Sequence, residues 1–501
     1  MQFQHLLIPL VILPSLLFSQ AFPPPFGFSA DLGSAGGITR YDEAEQAYEL
    51  SGQGRGIGQD SYHAAWRRFA SQDCILQAQA AFVPDKGPAG RELGWVIRST
   101  QQPGAPFVAA VLLENGQAAL MQRDVPQGVI RVRKMEVPQA SVVQLEKKGK
   151  RYTLSAARFG DLYQHISTEG PEFREGYDAG LFVASGDAYT PASARFTNVR
   201  TVIPPGPSFV AYQDYLDSYV ETLEVATGRR KVVLTTDGSA QAPNWTIDGK
   251  ALLYNSEGKI HRFELERGTV SQLPTAPVLE NNNDHVISFD GKMLGLSSAS
   301  GEQAYGSLVY TVPITGGVPT RITPLGPSYL HGWSPDGQWL TYTGLRDGEY
   351  DIYKIPSTGG HEIRLTDTPG LDDGSEYSPD GQWIYFNSVR SGSMDIWRMR
   401  PDGRQPEQLT SDTLQNWFPH VSPDGRWIVF LSYLPEVRAD DHPFYKKVYL
   451  RMMPAEGGDI RTIAYVFGGQ GTMNTPSWSP DGQMIAFVSN WDRQAVESGD
   501  R

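Results

Sequence analysis

Three of the nine histidines stand at almost the same distance before a four-residue segment that recurs in the second half of the chain. His285 and His331 lie three residues before it, and His420 lies two residues before it, at the position that Glu376 holds in another repeat. Neutral imidazoles with a carboxylate are a natural ligand set for a divalent ion, and an imidazole without a metal is a general acid or base near neutral pH. We take these four as candidate catalytic residues and the three histidines as candidate ligands of Mn, Zn or Ca.

Further polar residues close to the same register belong to the candidate ligand-binding set. They are Asp284, Asp372, Asp373, Asn416 and Asn474. If each repeat is one unit of a ring, these side chains would direct nitrogen and oxygen atoms into a shared central channel. The alternative is that they and the histidines cap strand ends and line a water-filled channel, where hydrogen bonds satisfy them without any ligand.

The segment that fixes this register occurs six times as Ser-Pro-Asp-Gly or a variant of it. Its aspartates are Asp248, Asp290, Asp336, Asp380, Asp424 and Asp481, separated by 42, 46, 44, 44 and 57 residues. Such a period is typical of the four-stranded blade of a β-propeller. Proline presets φ, aspartate can bond the nearby backbone and glycine tolerates the left-handed conformation, so each segment is predicted to be a hairpin turn rather than a catalytic motif.

Apolar residues alternate on both sides of each turn, which predicts strands with one buried face. The last turn is followed by one strand, at residues 484–489, so the last blade lacks outer strands. Residues 220–225 and 231–235 have the pattern of such strands. We predict that they pair with the C-terminal strand and close a six-bladed ring, which would remove an exposed sheet edge.

The interval between the fifth and sixth aspartates is 57 rather than 44 residues, which indicates an insertion. We place it within residues 433–447. Because function is often displayed on loops of a rigid scaffold, His442 and Tyr445 join the candidate ligand-binding residues. A solvated loop is the alternative. Gln470 joins the same set because the glycine-rich segment 468–472 would let the chain approach a ligand closely.

The Ser-Pro-Asp-Gly repeats, together with segments such as Asp351-Ile-Tyr-Lys354 and Leu365-Thr366, resemble the TolB-type propeller family over about residues 205–491. The resemblance implies the fold and leaves the activity open, since related propellers occur in TolB of the cell envelope, in prolyl-peptidase-type enzymes and in oligogalacturonate lyases. The N-terminal α/β domain of TolB is not evident here. The sequence also lacks the Gly-x-Ser-x-Gly elbow, which argues against a serine peptidase. The resemblance to the lyases implies chemistry that uses histidines and a metal, but it does not identify which residues of this chain would take part.

Short alternating runs broken by Gly and Pro predict an all-β sandwich over residues 27–200. Its predicted strands are residues 74–82, 94–98, 107–113, 118–122, 142–147, 152–158, 180–185 and 194–199. Segments such as Gly94-Trp-Val-Ile-Arg98 and Ala194-Arg-Phe-Thr-Asn-Val199, in this order, resemble the concanavalin-like lectin and glucanase sandwich, which is a jelly roll. The resemblance implies that a saccharide binds on the concave face. The paired acids of the glucanase branch, Glu-x-Asp-x-x-Glu, do not occur, so we do not expect catalysis by this domain.

Composition restricts the partners. The 43 Lys and Arg against 56 Asp and Glu give a net charge of −13, which argues against nucleic acid and against anionic membranes as partners. Cys74 is the only cysteine, which excludes an intramolecular disulfide, and we expect it to be a buried small hydrophobic residue. An apolar run over residues 6–18 predicts a signal peptide that is too short to span a membrane. We therefore expect a periplasmic or secreted protein without a membrane span.

The predicted organisation is an all-β protein in which an N-terminal jelly-roll sandwich precedes a six-bladed β-propeller. The predicted segments are a signal peptide at 1–21, a Pro-rich spacer at 22–26, the concanavalin-like sandwich at 27–200, a linker at 201–207, the propeller at 208–491 and a polar tail at 492–501. The favoured function is recognition of a glycan or other cell-envelope polymer. A metal-assisted polysaccharide lyase or glycoside hydrolase with its site in the channel is the first alternative. A protein-interaction scaffold, with a protein partner on the propeller face, is the second.

Overall fold

The fold is described from a computed structural model that places residues 26–33, 36–70, 72–83, 87–299, 301 and 306–492. The predicted signal peptide, most of the predicted spacer and all but the first residue of the predicted polar tail lie outside the described residues. Within them, no helix is long and apolar enough to cross a membrane.

Fourteen strands and one short 3-10 helix, Ile57–Gln59, make up the described part of the N-terminal half. The strands are β1 (Phe28–Leu32), β2 (Ile38–Asp42), β3 (Ala47–Gly54), β4 (Tyr62–Phe69), β5 (Cys74–Phe82), β6 (Glu92–Arg98), β7 (Phe107–Leu113), β8 (Gln117–Arg123), β9 (Arg131–Glu136), β10 (Val142–Lys148), β11 (Arg151–Ala157), β12 (Gln164–Glu169), β13 (Tyr177–Ala184) and β14 (Asp187–Val202).

These strands form a sandwich of two seven-stranded antiparallel sheets. One has the order β1-β4-β13-β6-β7-β8-β9, and the other has the order β12-β11-β10-β5-β14-β3-β2. Trp95 and Leu181 of the first sheet and Leu145 and Phe196 of the second lie fully buried in the core between them. Cys74 lies in the same core, where burial raises the pKa of its thiol to about 12. The predicted sandwich and the predicted buried cysteine are therefore confirmed.

All eight predicted strands of the sandwich are present, seven of them within three residues at each end, while β14 begins seven residues before its predicted start. The sequence reasoning missed β1 to β4, β9 and β12. The strands β9 and β12 lie at sheet edges and bury none of their side chains fully, so they carry no apolar alternation that could be recognised.

The C-terminal half contains 23 strands among the described residues. They are β15 (Asp217–Glu224), β16 (Arg229–Thr236), β17 (Gln241–Trp245), β18 (Ala251–Ser256), β19 (Lys259–Glu264), β20 (Thr269–Gln272), β21 (Asn281–Ile287), β22 (Met293–Ala299), β23 (Ser307–Pro313), β24 (Thr320–Arg321), β25 (Ser328–Trp333), β26 (Trp339–Arg346), β27 (Glu349–Pro356), β28 (Ile363–Arg364), β29 (Asp372–Tyr377), β30 (Ile384–Ser388), β31 (Asp395–Met399), β32 (Glu407–Gln408), β33 (Gln415–Val421), β34 (Trp427–Tyr433), β35 (Lys446–Pro454), β36 (Arg461–Gly468) and β37 (Met484–Trp491).

These strands form the six blades of a propeller. Strands β17 to β36 form five four-stranded meanders in chain order, and β37 forms the sixth blade together with β15 and β16. The closing contact is antiparallel and runs from Asp217 opposite Trp491 to Glu224 opposite Met484. Both ends of the propeller thus share one sheet, and the predicted six blades and ring closure are confirmed.

The repeated turns have the chemistry that their sequence predicts. In the third of them, the Ser334 hydroxyl donates to Asp336 at 2.5 Å, and the same carboxylate accepts the backbone N–H of Gln338 at 3.0 Å. Gly337 has a φ of 70°, in the left-handed region. The hydrogen bonds from Ser334 and Gln338 lower the pKa of Asp336, so this side chain belongs to the turn and has no free role in chemistry.

A buried ion cluster connects the sandwich to the closing blade. Glu221 of β15 is fully buried and pairs with Arg200 of β14 at 2.5 Å and with Arg230 of β16 at 2.6 Å. It also accepts the Ser489 hydroxyl of β37 at 2.5 Å. The two arginines compensate a charge that burial would otherwise disfavour, so this cluster is one of the contacts that join the two halves.

The insertion in the fifth blade is the loop 434–445 between β34 and β35, inside the predicted range. Its last two residues, Phe444 and Tyr445, pack against Leu216 and Phe209 of the segment that joins the two halves. The Tyr445 hydroxyl also accepts the backbone N–H of Leu216 at 3.1 Å. The loop is thereby anchored to the linking segment.

Candidate functional site

One face of the propeller collects the candidate residues. Each inner strand ends at a repeated turn, so the first residues of the inner strands lie on the opposite face of the ring. Because neighbouring strands are antiparallel, the loop 434–445 lies on that same face. We call the face formed by the first residues of β21, β25 and β29, with the segment 469–474, the channel mouth.

An imidazole and a carboxylate from adjacent blades meet at the channel mouth. His331 Nε2 lies 2.9 Å from Asp373 Oδ1, and both side chains are buried. The Thr343 hydroxyl donates to the same Asp373 oxygen at 2.6 Å. The strands β25 and β29 therefore each supply one member of a buried ion pair that points into the ring.

The carboxylate of Asp284 lies beside this pair. The pKa values of the three groups are not all shifted in the same direction. Burial would lower the pKa of His331, but Asp373, Asp284 and the Asn474 backbone together outweigh burial, and the pKa is raised. Burial would raise the pKa of Asp373, but His331, His442 and the Thr343 hydroxyl together outweigh burial, and the pKa falls to about 2. Burial raises the pKa of Asp284 to about 7, with Asp373 adding to the rise and His331 opposing it.

This cluster of Asp284, His331 and Asp373 can hold or exchange a proton near neutral pH. Asp373 is ionised there, whereas Asp284 is near its midpoint, and two carboxylates with such different pKa values suit separate acid and base roles. Asp284 comes from the second blade, His331 from the third and Asp373 from the fourth. The Asn474 carbonyl, across the ring in the sixth blade, also raises the pKa of His331, although its position falls outside hydrogen-bond geometry.

His285 is separate from this cluster. Its Nε2 lies 3.4 Å from the Leu253 carbonyl of the preceding blade. Complete burial lowers its pKa to about 4, so the ring is neutral at physiological pH. We therefore assign His285 to packing between the first and second blades.

His420 and Glu376 form a different buried pair that joins three blades. His420 Nδ1 lies 2.6 Å from Glu376 Oε2, and Nε2 lies 3.2 Å from the Met473 carbonyl. The other Glu376 oxygen accepts the backbone N–H of Val421 at 2.9 Å. Since a carbonyl only accepts, Nε2 carries a hydrogen, and both ring nitrogens are engaged in holding the blades together.

The three histidines do not converge. They contact a backbone carbonyl, Asp373 and Glu376 respectively. In the part of the chain that the structure describes, no three His, Cys, Asp or Glu side chains are grouped so that they could hold a metal ion. The structure therefore does not bring the three predicted metal ligands together, and we derive no chemical step through a metal.

Two further candidate residues, Asp372 and Asn416, bind partners within their own blades. Asp372 pairs with Arg390 at 2.8 Å. Asn416 accepts the Ser432 hydroxyl at 2.7 Å and Arg451 at 3.2 Å. Both side chains are almost completely buried, so the structure gives them partners within the protein.

Amide side chains link blades across the channel mouth. Gln470 donates to Asn283 at 3.3 Å and accepts from Asn474 at 3.2 Å. The Asn474 side chain also accepts the backbone N–H of Gly471 at 2.8 Å. The segment 469–474 is therefore held over the ring by amide groups, two of which are among the candidate residues.

His442 and Tyr445 of the inserted loop occupy different places. The His442 ring packs on Trp417 with 4.5 Å between ring centroids and on Phe418 with 5.5 Å, and its charge contributes to the low pKa of Asp373. Tyr445 is buried against the linking segment. The loop thus brings His442 to the channel mouth, while Tyr445 anchors it.

Four partly exposed residues surround the buried cluster, and we call them the channel rim: Asn282, Tyr329, His442 and Gln470. Asn282 accepts the backbone N–H of Asp284 at 3.0 Å. Tyr329 lies close enough to Asp284 and Asp373 for both carboxylates to contribute, after burial, to a pKa of about 12. Sequence reasoning missed Asn282 and Tyr329, although Tyr329 stands five residues before its turn, as Asp373 does.

Comparison with known proteins supports the fold of the second half. The TolB beta propeller domain family matches residues 328–496. The uncharacterized protein Atu1656 of Agrobacterium fabrum is 45% identical over 296 residues, which are 59% of this chain and 98% of that protein.

Two solved structures are also similar to this chain. One, from Agrobacterium tumefaciens, bears a provisional TolB name. It is 45% identical with a TM-score of 0.53 and covers 55% of this chain and 99% of its own. TolB from Acinetobacter baumannii is 18% identical with a TM-score of 0.41, covering 66% of this chain and 80% of its own. Given the identity to Atu1656 over almost that whole protein and the six blades described above, the chain belongs to the TolB-type β-propeller family.

Proposed function

We propose that this protein is an exported recognition protein that binds a glycan or other cell-envelope polymer at the channel rim. The observation that carries the proposal is the combination of two rings, Tyr329 and His442, with two amides, Asn282 and Gln470, around a buried charged cluster. Aromatic faces beside a few fixed polar groups are typical of small-ligand sites, and amides can both donate to and accept from sugar hydroxyls.

The charge of the cluster indicates which glycans are favoured. Asp373 is ionised and neutralised by His331, and Asp284 adds a partial negative charge near pH 7 because its pKa is about 7. A uronate carboxylate at the rim would face this charge. We therefore expect neutral or amine-bearing sugars to bind better than uronates.

The N-terminal half supports a second part of the proposal, that the sandwich is a concanavalin-like jelly roll with its own saccharide-binding face. Two facing seven-stranded antiparallel sheets support this assignment. Export to the periplasm or beyond is supported by the apolar run at residues 6–18 and by membership of a family that includes TolB of the cell envelope.

The test is binding of the full chain to an array of neutral, amino and uronate oligosaccharides, followed by calorimetry on the best ligand. We expect Gln470→Ala and Tyr329→Ala each to weaken binding at least tenfold. Gln338→Ala, an exposed glutamine on the opposite face, is the matched control and should bind as the wild type does. An array without signal and a thermal transition that no oligosaccharide changes would contradict the proposal.

The second candidate function is acid–base catalysis on a glycan, as in a lyase or hydrolase. It is favoured by the difference between the pKa of Asp284, about 7, and that of Asp373, about 2. Turnover of a polysaccharide that His331→Ala abolishes while the protein remains folded would favour this candidate. If the rim variants alter neither binding nor turnover, the protein-interaction scaffold becomes the better description.

A further inference from the structure

A histidine at the rim of the sandwich is held between a carboxylate and two hydroxyls. His63 of β4 lies opposite Asp31 of β1, and its Nδ1 is 2.8 Å from Asp31 Oδ1. Its Nε2 lies 3.1 Å from the Ser29 hydroxyl and 2.9 Å from the Thr39 hydroxyl of β2. The group lies in the sandwich, where β1, at the edge of one sheet, lies beside β2, at the edge of the other. The channel mouth, in contrast, belongs to the propeller.

The chain around this histidine is shaped to hold it. A Cβ atom on Gly37 would lie 1.9 Å from His63 Nδ1, and one on Gly52 would lie 2.5 Å from His63 Cβ. Only glycine fits at these two positions without displacing the ring. The Gly37 backbone N–H donates to both Asp31 oxygens, at 3.2 and 3.1 Å, and thereby orients the carboxylate toward the imidazole.

These contacts fix the role of each ring nitrogen in the neutral imidazole. The Asp31 carboxylate only accepts, so Nδ1 carries the hydrogen and Nε2 presents its lone pair to the hydroxyls. The Ser29 hydroxyl donates to Thr39 Oγ1 at 2.9 Å, and rotation about its Cβ–Oγ bond would turn the same proton to His63 Nε2, 3.1 Å away. A hydroxyl next to the free nitrogen of an imidazole, whose other nitrogen is held by a carboxylate, is the arrangement that activates a serine nucleophile.

We propose that Ser29, His63 and Asp31 form a hydrolytic site for short acyl esters, with Ser29 as the nucleophile, His63 as the general base and Asp31 as the residue that orients it. Ser29 belongs to an edge strand whose first four residues are all exposed, so an ester in solution can reach it. The same exposure leaves little room for a pocket that would hold a long acyl chain, which favours a short one such as acetyl.

The reaction proceeds by acyl transfer. Ser29 Oγ forms a bond to the ester carbonyl carbon, the π electron pair moves to the carbonyl oxygen, and His63 Nε2 takes the hydroxyl proton. When the carbonyl re-forms, the bond to the alcohol breaks and the alcohol leaves with the proton from His63. Water then attacks the acyl-serine in the same way and releases the acid.

The experiment is reaction of the full chain with a fluorescent fluorophosphonate, with the adduct located by mass spectrometry, together with hydrolysis of p-nitrophenyl acetate. We expect one adduct, on Ser29, that heat-denatured protein does not form. Ser29→Ala should abolish it, and Ser51→Ala, a serine of the neighbouring strand β3, should not. Since general-base catalysis contributes about 10² to 10⁴ in rate, His63→Gln should lower the acetate hydrolysis rate at least a hundredfold.

A purely structural role predicts a different result. In that case His63→Gln would lower the thermal transition temperature while the folded wild type formed no adduct, which would overturn the proposal. An adduct retained in Ser29→Ala would also overturn it. Because Ser29→Ala removes only one exposed hydroxyl, this variant keeps the proposal testable even if the histidine variant fails to fold. Glycan binding at the channel rim is a separate readout and should be unchanged in Ser29→Ala.

Discussion

Replacing Glu221 with glutamine should destabilise the protein more than any other single removal of a charge at the junction of its two halves. Glu221 is fully buried, and its carboxylate faces Arg200 of the sandwich and Arg230 of the closing blade. Glutamine has almost the same shape but no charge. The variant would therefore leave two guanidinium groups buried side by side with no anion between them.

The magnitude follows from the pKa of the carboxyl group. Burial alone would raise it, but the two arginines outweigh burial and lower it from 4.5 to about 2. At about 1.4 kcal/mol for each pKa unit, this corresponds to about 3 kcal/mol of stability at neutral pH. Removing one partner of a buried ion pair typically costs about 3–5 kcal/mol, so both routes give the same range.

The sign of the pH dependence follows from the same shift. The unfolded carboxyl group takes up a proton near pH 4.5, while the folded one does so only near pH 2. The contribution of Glu221 is therefore complete above about pH 5 and is lost as the pH falls toward 2. The variant should lack this part of the acid destabilisation.

The assay is urea unfolding followed by tryptophan fluorescence and by calorimetry, at pH 7 and pH 4. We expect Glu221→Gln to lose about 3 kcal/mol at pH 7 and to split the transition in two, because Arg200 and Arg230 belong to different halves. Glu224→Gln on the same strand is the matched control. Its pair with Arg229 is about one-third exposed, so the loss should be below about 1 kcal/mol. An equal, small effect of both substitutions would show that Glu221 does not compensate the two buried arginines.

Three further predictions concern the propeller channel and the sandwich core. Asp373→Asn should lower the pKa of His331, measured from its ring proton shifts by NMR, because Asp373 contributes most among the groups that raise it; an unchanged pKa would mean that the two groups are not paired in solution. Burial holds the pKa of His285 at about 4 against 6.5, so wild type should lose up to about 3 kcal/mol relative to His285→Leu between pH 7 and pH 4, because the unfolded histidine binds a proton first; parallel stability curves would contradict this. Burial raises the pKa of Cys74 to about 12, so the thiol should react with a disulfide reagent only after unfolding, and rapid reaction of the native protein would show that the core is open there.

The propeller was accessible to sequence reasoning because its information is local and repeated. Each turn needs only four consecutive residues, and the hydrogen bonds of Ser334 and Asp336 stay within that turn. Closure of the ring was also predictable, since the last blade lacks outer strands and 220–225 and 231–235 have the matching pattern. The sandwich was predicted less completely because exposed edge strands such as β9 and β12 leave no apolar alternation.

The candidate site was predicted only in part. The common register of His331 and Asp373 placed them correctly at one face of the ring, and His442 does reach that face from the insertion. The same register did not reveal that His285 turns to a neighbouring blade or that His420 is engaged by Glu376. Positions along a strand determine which end of the ring a side chain occupies, but not which neighbouring blade it contacts.

The all-β class, the six turns, the closing strands and the location of the insertion can be predicted from the sequence, because each of these depends on residues close together in the chain or on a fixed period. Which charged groups meet depends instead on how distant parts of the chain pack. Ser29 and Asp31 meet His63 only because β1 pairs with β4, which is more than thirty residues away in the chain, and Thr39 joins them because β2, the edge strand of the other sheet, lies beside them. Glu221 becomes a buried anion only because Arg200 arrives from the other half of the chain. Such pairings depend on how the sheets pack, which sets the distance between charges, and on burial, which shifts their pKa values. The spacing of residues along the sequence gives neither the distances nor the burial.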